Sequence, residues 1–281
     1  MEGRAPDLEK FFEKGIREGM KQWIFDSHAH YDDSRFDEDR HELLASLPAQ
    51  GVGYVMNVAC DLASCSQALQ LANQYEFVYA AAGIHPQAAG EIQTVPDYRE
   101  RLRKYLKQPK VRALGEIGLD YHYEDFPREL QRKAFAQQLE LAVELDVPVI
   151  VHDRDAHQDT LELLKKYRPK GIVHCYTGSA PMVKDILELG LYIGFTGVVT
   201  FKNARKVLEA AASVPLDRLL IETDCPYMAP EPVRGRRCDS SLLQYTAARL
   251  AQLKGVSPEE LVKATCENAC RVYRIEDRLP V

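Results

Sequence analysis

Val147-Pro148-Val149-Ile150-Val151-His152 is a short β-branched run that ends on a metal-binding side chain. The same arrangement recurs in four other apolar segments. Val111-Arg112-Ala113-Leu114-Gly115 leads to Glu116, and Gly171-Ile172-Val173 leads to His174. Trp23-Ile24-Phe25 precedes His28 and His30, and Leu219-Leu220-Ile221-Glu222-Thr223 precedes Asp224. Each run is expected to be a strand, with its ligating group just past the C-terminal end. A (β/α)₈ barrel gathers those ends on one face, where such enzymes place their chemistry. On that fold, residues from position 28 to position 224 converge on one site.

Working outward, short apolar runs alternate with helical patterns, the mark of a parallel sheet with crossover helices. Strands are expected near 22–27, 53–59, 77–82, 111–116, 147–152, 171–175, 191–195 and 218–223. Helices are expected near 37–49, 62–74, 97–108, 128–145, 157–167, 180–189 and 203–213, with another near 240–253. Ser257-Pro258-Glu259-Glu260 opens a further C-terminal helix, with Pro at its first turn. Eight strands favour a closed α/β (β/α)₈ TIM barrel with an additional C-terminal helix over an open doubly wound sheet. Residues 20–281 are read as one barrel domain. Residues 1–19 are read as an extension, either a helix on the outside of the barrel or a stretch preceding a true start at Met20.

The 281 residues are 46% hydrophobic and 28% charged, an ordinary globular composition. No apolar run approaches a membrane span and no signal-peptide core is visible, so a cytoplasmic protein is expected. Seven scattered cysteines argue against a disulfide framework. Cys266 and Cys270, four apart on a helix, read as small buried hydrophobes. The net charge of −6 weighs against tight binding of long nucleic acid. A phosphate ester substrate would need positive charge supplied locally.

His28-Ala29-His30 puts two imidazoles on one side of an extended chain, because side chains alternate. Glu116, flanked by Gly115 and Gly118, can bridge two cations with its two oxygens. Glu222 and Asp224 point the same way, one as ligand and the other as support; Asp224, nearer the tip, is preferred. His85 in Gly83-Ile84-His85-Pro86 is either a seventh ligand or a donor to a substrate oxygen, and the second role is preferred. His41, His122 and His157 sit in helical or polar contexts, with His122 near enough to Asp120 to line the mouth. Four histidines and two carboxylates suit zinc, manganese or similar ions. Two such ions would activate water and clamp a phosphoryl oxygen, with Asp224 accepting the proton. Arg154 and the cluster Arg234-Gly235-Arg236-Arg237 fall in loops of the same face and suit phosphate. Lys202 and Arg205 fall there too, and a solvated charge is the default for each of these basic residues. Asp120 and Tyr121 are placed beside the substrate, and Tyr121, Tyr123, Tyr176 and Tyr227 are candidates for stacking on bases.

From about Trp23 to the C-terminus, the chain resembles the TatD family of metal-dependent deoxyribonucleases, within the amidohydrolase-like barrels. The resemblance rests on Phe25-Asp26-Ser27-His28-Ala29-His30, Gly83-Ile84-His85-Pro86, and Gly115-Glu116-Ile117-Gly118-Leu119-Asp120-Tyr121. It continues through His152-Asp153-Arg154, His174-Cys175-Tyr176-Thr177-Gly178-Ser179, Phe195-Thr196-Gly197 and Glu222-Thr223-Asp224-Cys225-Pro226-Tyr227. It implies two divalent cations (Mg, Mn or Zn), one on His28, His30, Glu116 and Asp224, the other on Glu116, His152 and His174. It also implies that His85 contacts the scissile phosphate and that DNA single strands or ends are trimmed 3′→5′. Two segments depart from the family pattern: Tyr176-Thr177 replaces an aromatic-Ser pair, and Cys238-Asp239-Ser240 stands where Asn-Glu-Pro is usual.

The competing reading is another hydrolase on the same barrel, cleaving a small ester, lactone, amide or the aminoacyl ester of a tRNA. Relatives of that kind often bridge their metals with a carboxylated lysine at the end of strand four; here the position is Glu116, and the nearest lysine, Lys110, is at the strand's start. A non-catalytic metal-binding scaffold is the third reading, disfavoured because an open site with three ligands per ion is usually catalytic. Oligomeric state is left open, with a monomer as the default.

Overall fold

The computed structural model describes residues 23–276. The proposed 1–19 extension and the Met20 start lie outside them. Eight parallel strands follow sequence order in one sheet. They are β1 (Ile24–Ala29), β2 (Val52–Val58), β3 (Val78–Ala82), β4 (Val111–Asp120), β5 (Val149–Arg154), β6 (Gly171–Val173), β7 (Tyr192–Phe195) and β8 (Leu219–Ile221). The segment after β8 turns back onto β1. Asp224 N–H donates to the His28 carbonyl at 2.9 Å, and His30 N–H to the Cys225 carbonyl at 2.9 Å. The sheet thus curls into a nearly closed barrel.

Around it lie α1 (Arg40–Ser46), α2 (Leu62–Gln74), α3 (Glu91–Thr94), α4 (Tyr98–Leu106), α5 (Arg128–Leu145), α6 (His157–Tyr167), α7 (Ala180–Glu188), α8 (Arg205–Ser213), α9 (Leu243–Lys254) and α10 (Pro258–Tyr273). α5 shows why these stretches are helical. Its sequence is rich in strong helix formers, and Gln131, Ala134, Phe135, Gln138, Leu139 and Ala142 recur on the buried side. Asp146, in the left-handed conformation at φ 52°, ends it before Pro148. Removing Phe135 from water contributes about 2–3 kcal/mol.

α10 closes the N-terminal end of the barrel. The Ser257 hydroxyl accepts the Glu260 N–H at 3.2 Å and caps its start. Its Cys266, Ala269, Cys270, Val272 and Tyr273 join Phe25, Tyr54, Met56, Ile150 and Leu220 in an apolar cluster. Asn268 donates to the carbonyls of Leu216 (2.8 Å) and Leu219 (2.9 Å), and the Tyr273 hydroxyl to that of Ser27 (2.9 Å). Cys266 and Cys270 serve here as small apolar groups, and none of the seven cysteines forms a disulfide.

The strands differ in extent from those expected: β4 and β5 run on past Glu116 and His152 and β1 past His28, whereas His30, His174 and Asp224 lie beyond strand ends. The β4–β5 ladder continues beyond the apolar runs, pairing Gly118 with His152 and Asp120 with Arg154. Gly118 permits this. At φ 149° its backbone lies so close that a Cβ would stand 2.0 Å from the His152 carbonyl oxygen. Strand length here follows backbone pairing, which the apolar pattern does not record.

Candidate metal centre

Six side chains from five strands meet at the C-terminal mouth. Nε2 of His28 and Nε2 of His30 are 3.0 Å apart. Glu116 Oε2 stands 3.4 and 3.6 Å from them, and Asp224 Oδ1 stands 3.7 and 3.3 Å away. Donors around a tetrahedral ion with bonds of about 2.0–2.2 Å are separated by roughly 3.3–3.6 Å. Among the described residues, His28, His30 and Glu116 form one group of donors close enough to hold a small cation, His28, His174 and Asp224 a second, and His85, Glu116 and His152 a third. Oε1 of the same Glu116 faces the other way, 2.6 Å from His152 Nδ1 and 2.8 Å from His174 Nε2, which are 3.3 Å from each other. One carboxylate therefore divides two donor clusters, one per oxygen. His85 stands at the edge, its Nε2 3.6 Å from Glu116 Oε1.

The surroundings orient these rings. His30 Nδ1 donates to the Val58 carbonyl at 2.7 Å, which fixes the ring with Nε2 facing inward. Asp120 Oδ2 lies 3.5 Å behind His152 Nε2, and Glu222 Oε1 lies 3.6 Å behind His174 Nδ1. Glu222 also accepts from Ser27 Oγ (3.1 Å) and from the Cys175 N–H. Among the described residues, the outward nitrogens of His28, His152 and His174 are buried and lack hydrogen-bond partners in this geometry. Such a set of buried imidazoles and acids is costly to build unless its charges are matched. Burial alone would push Glu116 up, but His174, His85, His28 and the His152 hydrogen bond hold it well below the usual carboxyl range. Burial likewise opposes ionisation of Asp224, and the His30 hydrogen bond together with the charges of His28, His30 and His174 outweighs it. Burial drives His85 down to about 3, leaving a neutral imidazole at pH 7. Its Nδ1 accepts the Gln87 N–H at 3.2 Å, so its proton is on Nε2, facing the centre.

The remaining expected contacts divide. Asp120 is buried, not open to substrate: besides facing His152, it accepts from Gln87 Nε2 (3.0 Å) and the His122 N–H (3.0 Å). Tyr121 turns its hydroxyl to Asp159 of α6 at 2.6 Å and has the Arg128 guanidinium 4.5 Å over its ring. Tyr176 is buried with its hydroxyl on the Ser179 carbonyl (2.7 Å). Arg237 is committed to a two-pronged pair with Asp39 and to the Arg35 carbonyl, which removes it from the phosphate cluster. Arg234 and Arg236 are exposed, with Arg234 stacked 4.0 Å over Phe201. Arg154 is exposed beside Tyr123.

Three supports escaped the reading of the sequence. Asp26 is fully buried and accepts from Thr223 N–H (3.0 Å), Thr223 Oγ1 (2.6 Å) and Ser240 Oγ (2.6 Å), tying β1 to the chain around Asp224. Ser240, in one of the segments that departs from the family pattern, thus has a structural partner. Gln138 grips both backbone groups of Ile84, accepting from N–H at 2.8 Å and donating to C=O at 3.0 Å, next to His85. Gln131, seven residues earlier on α5, grips Asp120 in the same way at 2.8 and 2.8 Å. The only sequence signal was two amides on an otherwise apolar helix face.

A barrel that gathers imidazoles and acids at the C-terminal ends of its strands sets a candidate metal site where barrel enzymes carry their chemistry. Comparison with known proteins agrees. A family profile described as TatD related DNase matches residues 25–274. A Bacillus subtilis protein named as an uncharacterized metal-dependent hydrolase, YabD, is 39% identical over 90% of this chain and 99% of its own length. A Citrobacter rodentium protein named 3′-5′ ssDNA/RNA exonuclease TatD is 34% identical over 90% of this chain and 98% of its own. The crystal structure of YjjV, a TatD homologue from Escherichia coli K12, superposes with a TM-score of 0.83 at 31% identity, covering 90% of this chain and 98% of that one. The chain belongs to the TatD family of metal-dependent hydrolases.

Proposed function

We propose that this protein hydrolyses phosphodiester bonds of nucleic acid, acting on DNA single strands or ends. The carrying observation is Glu116, which turns Oε2 to His28 and His30, the two rings that Asp224 also faces, and Oε1 to His152 and His174. His28, His30, Glu116 and Asp224 would hold one divalent cation, and Glu116, His152 and His174 a second. Two such ions would polarise a phosphoryl oxygen and make water a stronger nucleophile. Within the chain, Asp224 would take the proton of the attacking water. His85 directs its Nε2–H to where a non-bridging phosphoryl oxygen would lie. The exonuclease name of the Citrobacter rodentium relative supports this substrate class and the 3′→5′ polarity.

The test uses protein stripped of metal and resupplied with Mg²⁺, Mn²⁺ or Zn²⁺, offered end-labelled single-stranded DNA beside a panel of esters, lactones and amides. The reading expects metal-restored shortening of DNA that His152→Ala abolishes, with laddering from the 3′ end. Intact DNA together with turnover of a small ester or amide would replace it with the small-substrate reading.

A further inference from the structure

Two exposed aromatic–arginine pairs stand on opposite sides of the mouth. Tyr227, three residues after Asp224, has the Arg35 guanidinium 4.3 Å over its ring, and its hydroxyl lies 3.4 Å from Asp33 Oδ2. Tyr123, in the loop after β4, has Arg154 of β5 5.2 Å from its ring centre, with Nη1 donating to the hydroxyl at 3.4 Å. Tyr227 and Tyr123 are 42% and 43% exposed, two of the four large hydrophobic residues exposed among those described. Both pairs are close to the donor clusters in the chain. A turn hydrogen bond of 3.0 Å joins Tyr227 N–H to the Asp224 carbonyl. Arg154 follows His152 by two residues on the same face of β5, a rise of about 7 Å.

Their placement around the barrel follows from strand order. Tyr227 and Arg35 flank the β8–β1 junction, whereas Tyr123 and Arg154 flank the β4–β5 junction. In a ring of eight strands these junctions are diametrically opposed. A chain laid from one pair to the other crosses the clusters around Glu116.

We infer that the Tyr227–Arg35 and Tyr123–Arg154 pairs are two base-stacking and phosphate-binding platforms, one on each side of the scissile phosphate, that receive a flexible single strand. This rests on the nucleic-acid reading of the site. Every base offers a π-face, so a ring backed by a guanidinium binds without sequence preference. Arginine adds a planar donor for the neighbouring phosphate. The overall charge of −6 makes such local pairs the means of holding a polyanion. A duplex, whose bases are already stacked, gains nothing from either ring.

The test is initial-rate kinetics on (dT)₁₂ with Mn²⁺, together with fluorescence polarization of labelled (dT)₁₂ in EDTA, for the parent and for single and double tyrosine variants. Tyr227→Ala and Tyr123→Ala are each expected to raise KM and the dissociation constant roughly 5- to 100-fold. The double variant should combine both losses, and Tyr→Trp at either position should restore affinity. Arg35→Ala and Arg154→Ala should each flatten the salt dependence by about 0.7 in log–log slope. Unchanged affinity in both alanine variants overturns the platforms, and an effect at only one overturns the two-sided track. A parent that binds (dT)₁₂ but never cleaves it sinks the hydrolytic reading, while polarization still decides the platforms.

Discussion

The two ends of the barrel are made of opposite materials. At the N-terminal end, Phe25 stacks on Tyr54 with centroids 5.2 Å apart and meets Tyr273 of α10 at 5.9 Å, in an apolar plug. At the C-terminal mouth, His28 and His174 stack at 3.9 Å beside Glu116, all buried. The plug gains by removing carbon from water. The mouth spends that gain, because buried ionisable groups are tolerated only when paired or metal-bound. Stability and chemistry are therefore expected to separate along the barrel axis.

The largest effect should come from Glu116→Gln. Removing the charge shared by both clusters should lower kcat/KM by more than about 10²–10³-fold and empty the sites in metal analysis, while thermal unfolding in EDTA stays near that of the metal-free parent, since bound metal itself adds stability. A collapse in stability would show that the mouth holds the fold together. Phe25→Ala probes the other end: about 3–5 kcal/mol lost in denaturant unfolding, with kcat per folded molecule unchanged. A large fall in kcat would mean the two ends are coupled.

Gln138→Leu sharpens the boundary between them. It leaves Ile84 N–H and C=O unpaired, at about 1–3 kcal/mol per buried group, and frees the turn that carries His85. We expect a drop in kcat at unchanged metal content; loss of metal instead would make Gln138 a support of the clusters themselves. The smallest effect is at His157, whose imidazole lies 2.7 Å from Asp153 Oδ2, and whose pKa is raised chiefly by that hydrogen bond. A raised folded pKa stabilises below the unfolded value near 6.5, and the benefit disappears as pH rises through the folded value. His157→Gln should therefore cost more in unfolding free energy at pH 5.5 than at pH 9, by well under about 1 kcal/mol because the side chain is a third exposed. Equal costs at both pH values would remove the ion pair from the account.

Much of this was readable before the structure. The expected strand order holds, and α2, α5 and α6 span the expected residues 62–74, 128–145 and 157–167. Periodicity records which face of a helix is buried, whereas the strands, buried on both faces, show as short continuous apolar runs. Short α3 was not anticipated, since four residues carry too little period to register. Tyr121 and Arg237, both candidates for substrate contact, are paired with Asp159 and Asp39. Partners of that kind, 38 and 198 positions away, leave no trace in the local sequence.

By itself the sequence determined the alternation of strands and helices, and the placing of imidazoles and carboxylates at one end of the strands. Those are local properties, set by side-chain period and backbone propensity. Only the tertiary structure decided that Glu116 turns one oxygen to each cluster, that Asp120 stands behind His152, and that two glutamines of α5 grip the turns beside them. Such facts depend on distances between segments that packing sets to tenths of an ångström, and no residue carries them alone.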